Sequence, residues 1–357
     1  KILYSIEEIH RPKSDESLQK AKFTLAFFDQ VLFQIGVLKR REHLTGFLTM
    51  PDTAIPPSYE PPYPLPFKLT NAQLRALSEI VYDLKNNYNP DKNKNTEKPP
   101  MNRLVQGDVG SGKTLVAFLA MLYYSFELAP GCQCAFMAPT EILARQHLAN
   151  FAKFFPQFAD KAIIVTGSQK AAERRHVEDM LLTGASLFVF GTHALFQEKL
   201  VFKELGFCII DEQQRFGVNH RRMLFNKGSN PNQLLLSATP IPRTLSLTIF
   251  GDMDTSIINE LPPGRKPVAT RIEKSFNAVL PDIKATLAAG NQVYIVCPLI
   301  ELSDERDWVS VEEAASNVEE LLPDVSYATL TGAQSWEEKE AVMESFKDRQ
   351  LEILIAT

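Results

Sequence analysis

Residues 103–114 read RLVQGDVGSGKT, and this stretch decides how the chain is read. Arg103 to Gln106 predicts a short strand, residues 107–114 a loop, and Leu115 through Tyr124 an apolar helix. Gly107, Gly112, Lys113 and Thr114 fit the phosphate-loop pattern G-x-x-x-x-G-K-[ST] in the strand–loop–helix setting it needs. Glycines keep side chains out of the way, so successive backbone N–H groups can turn inward around phosphate oxygens. Gly107, Asp108, Val109, Gly110, Ser111 and Gly112 are therefore the candidate cradle for ATP. Lys113 brings a positive charge to the β- and γ-phosphates, and the Thr114 hydroxyl is placed to ligate Mg²⁺.

Outward from that loop, the chain of 357 residues is long enough for two domains, and 45% hydrophobic residues make it globular. The net charge of −5 gives no basic coat, so a nucleic-acid contact has to be a local track. Four cysteines, Cys132, Cys134, Cys208 and Cys297, are too scattered for a disulfide framework. Cys132 and Cys134 read as part of a buried strand, because no second Cys/His pair follows at ligand spacing. A reducing cytoplasm is the expected location. No run approaches ~18 apolar residues, so a membrane span is not expected.

Residues 14–45 predict a long helix. Leu18, Ala21, Leu25, Phe28, Leu32 and Ile35 form one apolar stripe, expected to pack on a neighbouring domain. Pro51 to Pro66 predicts a stiff extended strap containing a domain boundary. Thr70 or Asn71 then caps a helix reaching Leu84, with Gln73 in its first turn. The glutamine amide offers a donor and an acceptor side by side, which matches the edge of adenine. Asn86 to Lys98 reads as a polar surface loop.

Past the phosphate loop, apolar strands near 134–138, 162–166, 187–190, 207–210 and 233–236 alternate with helices over 141–155 and up to Leu182. That alternation predicts a parallel sheet covered on both faces, with functional residues beyond the strands' carboxyl ends. A proline-rich break at 261–267 precedes a second α/β pattern. It has helices near 279–289, 310–322 and 337–346, and strands near 292–297, 327–330 and 351–356. The fold class is thus α/β: two tandem parallel-sheet domains of P-loop NTPase type, the second incomplete, preceded by a helical segment.

Asp211-Glu212 follows four apolar residues, the Walker B arrangement. Asp211 can hold Mg²⁺ through its water shell, and Glu212 can orient and deprotonate the attacking water. Ser237-Ala238-Thr239 closes the next strand. Its two hydroxyls can bond to the acidic motif and sense the γ-phosphate.

The order GDVGSGKT, APTEILARQH (138–147), GTHALFQ (191–197), IIDEQQRFGV (209–218), SATPIPRTL (237–245) and INELPPGR (258–265) resembles superfamily 2 DNA helicases. It is most similar to the RecG branched-DNA helicase family. The resemblance implies an ATP-dependent double-stranded DNA translocase that remodels stalled replication forks and Holliday junctions in recombination and repair. It implies that residues 1–65 are a helical linker from an upstream wedge domain of oligonucleotide-binding fold. It implies that 66–262 are a first RecA-like motor domain and 263–357 the start of a second. By the same resemblance Gln73 reads adenine, Thr140, Glu141, Thr192 and His193 line the DNA path, and Gln214 with Ser237 and Thr239 couples hydrolysis to movement. A helix N-terminus after Pro139 and backbone N–H groups at 191–193 can bind phosphates without net positive charge. A monomer is implied, with single-strand-binding protein as a possible contact.

Two positions depart from the family pattern. Gln214 stands where similar proteins carry histidine, so it can bond to a γ-phosphate without carrying charge. Thr331-Gly332-Ala333-Gln334 replaces a His-Gly-basic segment. The arginine-finger segment of the family lies beyond Thr357, so poor hydrolysis is expected of these residues alone. The alternatives are a transcription-repair coupling translocase acting on RNA polymerase and a catalytically weak DNA-binding scaffold.

Overall fold

A computed structural model describes residues 2–45, 56–88, 100–197, 199–212, 227–228, 231–239, 253–262, 268–298 and 309–357. The chain divides into two compact units, Lys1–Arg265 and Lys266–Thr357. The expectations at Gln214, at Ile241 to Leu245, for the polar loop from residue 89 and for the break at 263–267 lie outside the described residues.

The first unit opens with α1 (Ile2–His10) and α2 (Asp15–Thr45). The predicted stripe is only partly covered. Ala21 is buried, and Leu18 and Leu25 are half-buried, where α1 lies against the first turns of α2. Further along, Phe28, Leu32 and Ile35 stand 37%, 52% and 45% exposed. The helix itself was legible from its period; what covers it is decided by tertiary contacts, and α1 is too short to reach beyond two turns.

The strap over residues 56–70 carries aromatic side chains onto the core. Tyr59 meets Tyr123 edge-on at 5.1 Å, and Tyr63 meets Phe155 and Phe158 at 6.3 and 5.9 Å. The Tyr59 hydroxyl donates to Glu127 Oε1 at 2.6 Å. Then come α3 (Asn71–Asn87), β1 (Asn102–Gly107), α4 (Lys113–Leu122), β2 (Gln133–Met137) and α5 (Glu141–Phe154). They are followed by β3 (Ala162–Val165), α6 (Ala171–Thr183), β4 (Phe188–Gly191), β5 (Leu205–Asp211), β6 (Asn232–Ser237) and β7 (Asp254–Ile258). After α4 the helix widens into a π turn over Tyr123–Leu128.

The seven strands pair in the order β3-β4-β2-β5-β6-β1-β7, every pair parallel. Alternation sends neighbouring residues to opposite faces. Val105, Phe136, Phe190, Ile209 and Leu236 pack on one side with α3, α4 and α5. Leu104, Met137, Val189, Ile210 and Leu235 pack on the other with α6. The predicted two-sided burial is therefore present. Buried on both faces, α4 has no polar stripe, which explains its unbroken Leu-Val-Ala-Phe-Leu-Ala-Met run. A phenylalanine cluster seals this layer: Phe151 lies 5.3 Å from Phe118 and 4.9 Å from Phe188. Such pairs add about 0.5–1.5 kcal/mol each beyond area burial.

Two of these strands and helices were not read from the sequence: α1 and β7. Asp254-Thr255-Ser256 lacks an apolar run, because β7 is an edge strand with one paired side. Its place matters, because Gly107 pairs with Ile258 beside the phosphate loop.

The second unit holds α7 (Phe276–Ala288), β8 (Val293–Val296), α8 (Val311–Leu321), β9 (Tyr327–Leu330), α9 (Trp336–Lys347) and β10 (Ile353–Ala356). Its sheet is parallel in the order β8-β10-β9. Ile283, Val311, Ala314, Val318, Ile353 and Ile355 form its core. The departing segment closes on itself: Thr331 N donates to Gln334 Oε1 at 2.9 Å, and Gln334 Nε2 donates to the Thr329 carbonyl at 3.0 Å.

Candidate nucleotide-binding site

Three adjacent strands, β5-β6-β1, end side by side. Parallel pairing puts Gln106 level with Ser237, and Asp211 level with Leu236. The phosphate loop, the Asp211-Glu212 pair and the Ser237–Thr239 turn therefore share one edge, the carboxyl edge expected for such a sheet.

The loop is built by close backbone approaches. A side chain at Gly107 would meet Ser111 Oγ at 2.6 Å and the Ile258 carbonyl oxygen at 2.8 Å. Gly112 caps α4 with φ +90°, a left-handed conformation, and a Cβ there would meet Gln73 Nε2 at 2.3 Å. Asp108 Oδ1 accepts from Val109 N at 2.7 Å, and Gly110 also has positive φ. Lys113 is buried and turns its Nζ back onto the carbonyls of Gly107 and Asp108, at 2.8 and 2.9 Å. Burial pulls its pKa down, while Asp211, Glu212 and Asp108 pull it back up, so the ammonium lies in the field of all three carboxylates. Ser111 Oγ is buried without a hydrogen-bond partner. A turn of N–H groups, an orphaned hydroxyl and an ammonium held only by carbonyls fit an anion. Thr114 follows Lys113 in the first turn of α4. Among the described residues no cluster of three His, Cys, Asp or Glu side chains could hold a metal by itself. A cation here would accordingly need ligand oxygens from phosphate and water, as Mg²⁺ prefers.

Gln73 bonds within the chain at both ends of its amide. Thr70 caps α3, and the two residues form a capping box: Gln73 N donates to Thr70 Oγ1 at 3.2 Å, and Thr70 N donates to Gln73 Oε1 at 2.9 Å. Gln73 Nε2 donates to the Ser111 carbonyl at 2.7 Å. Each end of the amide makes one bond, which leaves its second N–H and its second oxygen lone pair over for a base. The sequence showed a capping position and an amide; it could not show that the phosphate loop comes within reach. Glu260 of the 258–265 motif also serves this helix, accepting from Ala72 N at 3.1 Å.

At the end of β5, Asp211 uses both oxygens: Oδ1 accepts from Glu212 N at 3.0 Å, and Oδ2 lies 2.9 Å from His147 Nε2. Glu212 has φ +49°, a left-handed conformation rare without glycine, and strain of this kind collects at functional sites. The Ser237 and Thr239 hydroxyls lie 2.9 Å apart and bond to each other, while Gln106 Nε2 donates to the Thr239 carbonyl at 3.1 Å. The two hydroxyls thus bond to one another inside the turn.

On the expected DNA path, Thr140 is exposed and caps α5, accepting from Leu143 N at 3.3 Å. Glu141 Oε1 accepts from the Ser168 hydroxyl at 2.6 Å and from Arg145 at 2.7 Å. Burial pushes its carboxyl up, but Ser168 and Arg145 outweigh it and hold the group below its ordinary range. Glu141 is therefore a carboxylate fixing its neighbours, with no proton to give a DNA phosphate. Thr192 is buried and its N–H goes to the Val165 carbonyl at 3.3 Å, so that N–H is not open to a phosphate. His193 is exposed. His147, within the 138–147 motif but given no role from sequence, joins α5 to Asp211. Its place two turns past the Thr140 cap on an otherwise apolar helix face was the only signal.

A model of the DEAD/DEAH box helicase family matches residues 87–248. The chain is 41% identical over 361 residues to the ATP-dependent DNA helicase RecG of Synechocystis sp., covering 99% of this chain and 41% of that protein. It is 40% identical to that of Streptococcus pneumoniae, covering 99% of this chain and 51% of the relative. The chain thus spans about half the length of these relatives or less. A solved structure of RecG bound to a three-way DNA junction superposes with a TM-score of 0.71 at 36% identity, over 99% of this chain and 45% of that one. In its motif order, its sequence and its fold, this chain is similar throughout its length to about half of a RecG helicase.

Proposed function

We propose that this chain is the motor segment of an ATP-dependent double-stranded DNA translocase that remodels branched DNA, stalled forks and Holliday junctions. The observation that carries the reading is the β5-β6-β1 order, which sets the phosphate loop and Asp211-Glu212 at one sheet edge. The RecG named in the junction structure is bound to branched DNA, which supports the same substrate class here.

In this reading the loop from Gly107 to Gly112 encloses the phosphates. Lys113 leaves the Gly107 and Asp108 carbonyls for the β- and γ-oxygens. Thr114, and Asp211 through water, would hold Mg²⁺, which would supply charge neutralisation. Glu212 orients and deprotonates the attacking water. Gln214, Ser237 and Thr239 report the state of the γ-phosphate. Gln73 tightens or frees the loop through Ser111 and meets adenine with its second N–H and lone pair. Thr140 and His193 touch DNA directly, while Glu141 and Thr192 set the turns that carry them. Residues 66–262 form the first motor domain and 263–357 belong to the second, with 1–65 as the linker. The protein works in the cytoplasm as a monomer, with single-strand-binding protein as a candidate companion. No described helix is long and apolar enough to cross a membrane.

The test is a DNA-stimulated ATPase and unwinding assay on the full-length protein, comparing linear with forked DNA. Forks should stimulate more strongly, and Lys113→Ala should reduce both activities by about a hundredfold or more. Equal response to linear DNA, or fork unwinding by the Lys113→Ala protein, overturns the reading.

A further inference from the structure

We infer that His147 is a positioning residue that fixes the Asp211 carboxylate for the divalent cation of the nucleotide site. The inference rests on the reading of Asp211 as the carboxylate that faces that cation.

His147 lies on α5 and is buried, its ring packed 4.7 Å from the Phe136 ring. Nε2 is 2.9 Å from Asp211 Oδ2, and Nδ1 is buried with no hydrogen-bond partner. This pattern assigns the ring proton. A proton on Nε2 gives a donor facing a carboxylate oxygen, whereas a proton on Nδ1 would bury an unpaired N–H and set a lone pair against Oδ2. His147 therefore donates to Asp211. Glu212 N holds the other oxygen at 3.0 Å. With one donor on each oxygen, rotation of the carboxylate is stopped, and its remaining lone pairs keep one orientation. Groups that orient a metal-facing ligand in this way typically contribute 10–100-fold in metal affinity or activity. A histidine that merely filled space between α5 and the sheet would do as well with any ring of similar size. The bond to Asp211 separates the two roles.

The experiment measures binding of a fluorescent non-hydrolysable ATP analogue to the full-length protein, in EDTA and across a Mg²⁺ titration. His147→Phe fills the ring's volume without a donor, and His147→Gln restores an N–H at the Nε2 position. The expected result for His147→Phe is analogue affinity in EDTA within about twofold of the parent. Its Mg²⁺ half-saturation should rise about tenfold, and His147→Gln should recover most of that shift. Equal loss of affinity with and without Mg²⁺, no change in either, or a His147→Gln protein indistinguishable from His147→Phe overturns the inference. Asp211→Asn distinguishes the underlying reading: an intact Mg²⁺ dependence there means that Asp211 does not face the cation. If His147→Phe fails to fold, His147→Asn replaces it, since its shorter amide falls short of Asp211.

Discussion

Gly112→Ala is the substitution whose cost can be worked out most fully. Gly112 has φ +90°, and a non-glycine residue held in the left-handed region costs about 1–2 kcal/mol. The new Cβ would also stand 2.3 Å from Gln73 Nε2. The amide must move, but it is buried and bonded at both ends, to Thr70 N and to the Ser111 carbonyl. Losing both bonds costs about 2 kcal/mol, since each net hydrogen bond contributes about 1. Gly112→Ala should therefore destabilise the first unit by about 3–4 kcal/mol, and Gln73→Ala alone by about 2. In the double variant the amide is already gone, so only the backbone strain is added. It should cost no more than Gly112→Ala by itself, a coupling of about 2 kcal/mol between the two positions. Both tryptophans, Trp308 and Trp336, lie outside residues 1–265 in the sequence, so the readout is taken from the first unit's own peptides. Pulse proteolysis over a urea series, read on peptides of residues 102–122, reports the correct unit. Additivity of the two single effects within about 0.5 kcal/mol would refute the argument, because the Gln73 amide would then not be what the Cβ displaces.

Two further perturbations follow from the same unit. Arg103 pairs with Asp83 at 2.7 Å and Glu79 at 3.2 Å, and donates to Ser256 Oγ at 2.8 Å. Arg103→Met should cost about 2–4 kcal/mol, since the two carboxylates keep some solvent. Burial holds the Asp83 carboxyl above its ordinary 3.8 despite Arg103, so Asp83's contribution is full below that value and lost as pH rises through the folded value. Without Arg103 the upward shift grows, and the Arg103→Met deficit should be larger at pH 8 than at pH 5 in urea unfolding; a deficit that grows on acidification contradicts this. No cysteine is in a disulfide; Cys134 and Cys208 are wholly buried, with burial pushing both thiols far up, whereas Cys132 is half-buried. Iodoacetamide at pH 8 should label Cys132 first and reach Cys134 and Cys208 only on unfolding, as mass spectrometry would show; equal native rates would mean that β2 is open.

The sequence by itself determined the class of fold and most of the chemistry. Glycine spacing, an apolar run before two acids and a capping threonine are local properties, so the phosphate loop, Asp211-Glu212 and the start of α3 could be placed without coordinates. Two-sided burial of the strands left apolar runs that alternate with helices, which is why their order was legible. Tertiary structure decided what depends on long-range approach. Edge strand β7 carries no apolar run, yet its Ile258 closes on Gly107. Gln73 was legible as an amide in the first turn of a capped helix, but only the fold brings the Ser111 carbonyl within 2.7 Å of it. Thr192 reads as a loop residue, but pairing with Val165 uses its N–H. His147 was one letter in a motif until α5 crossed the end of β5 and set its ring on Asp211. Local pattern encodes which groups are present; the packing of helices on a parallel sheet selects which of them meet, because each such contact joins residues far apart in the chain.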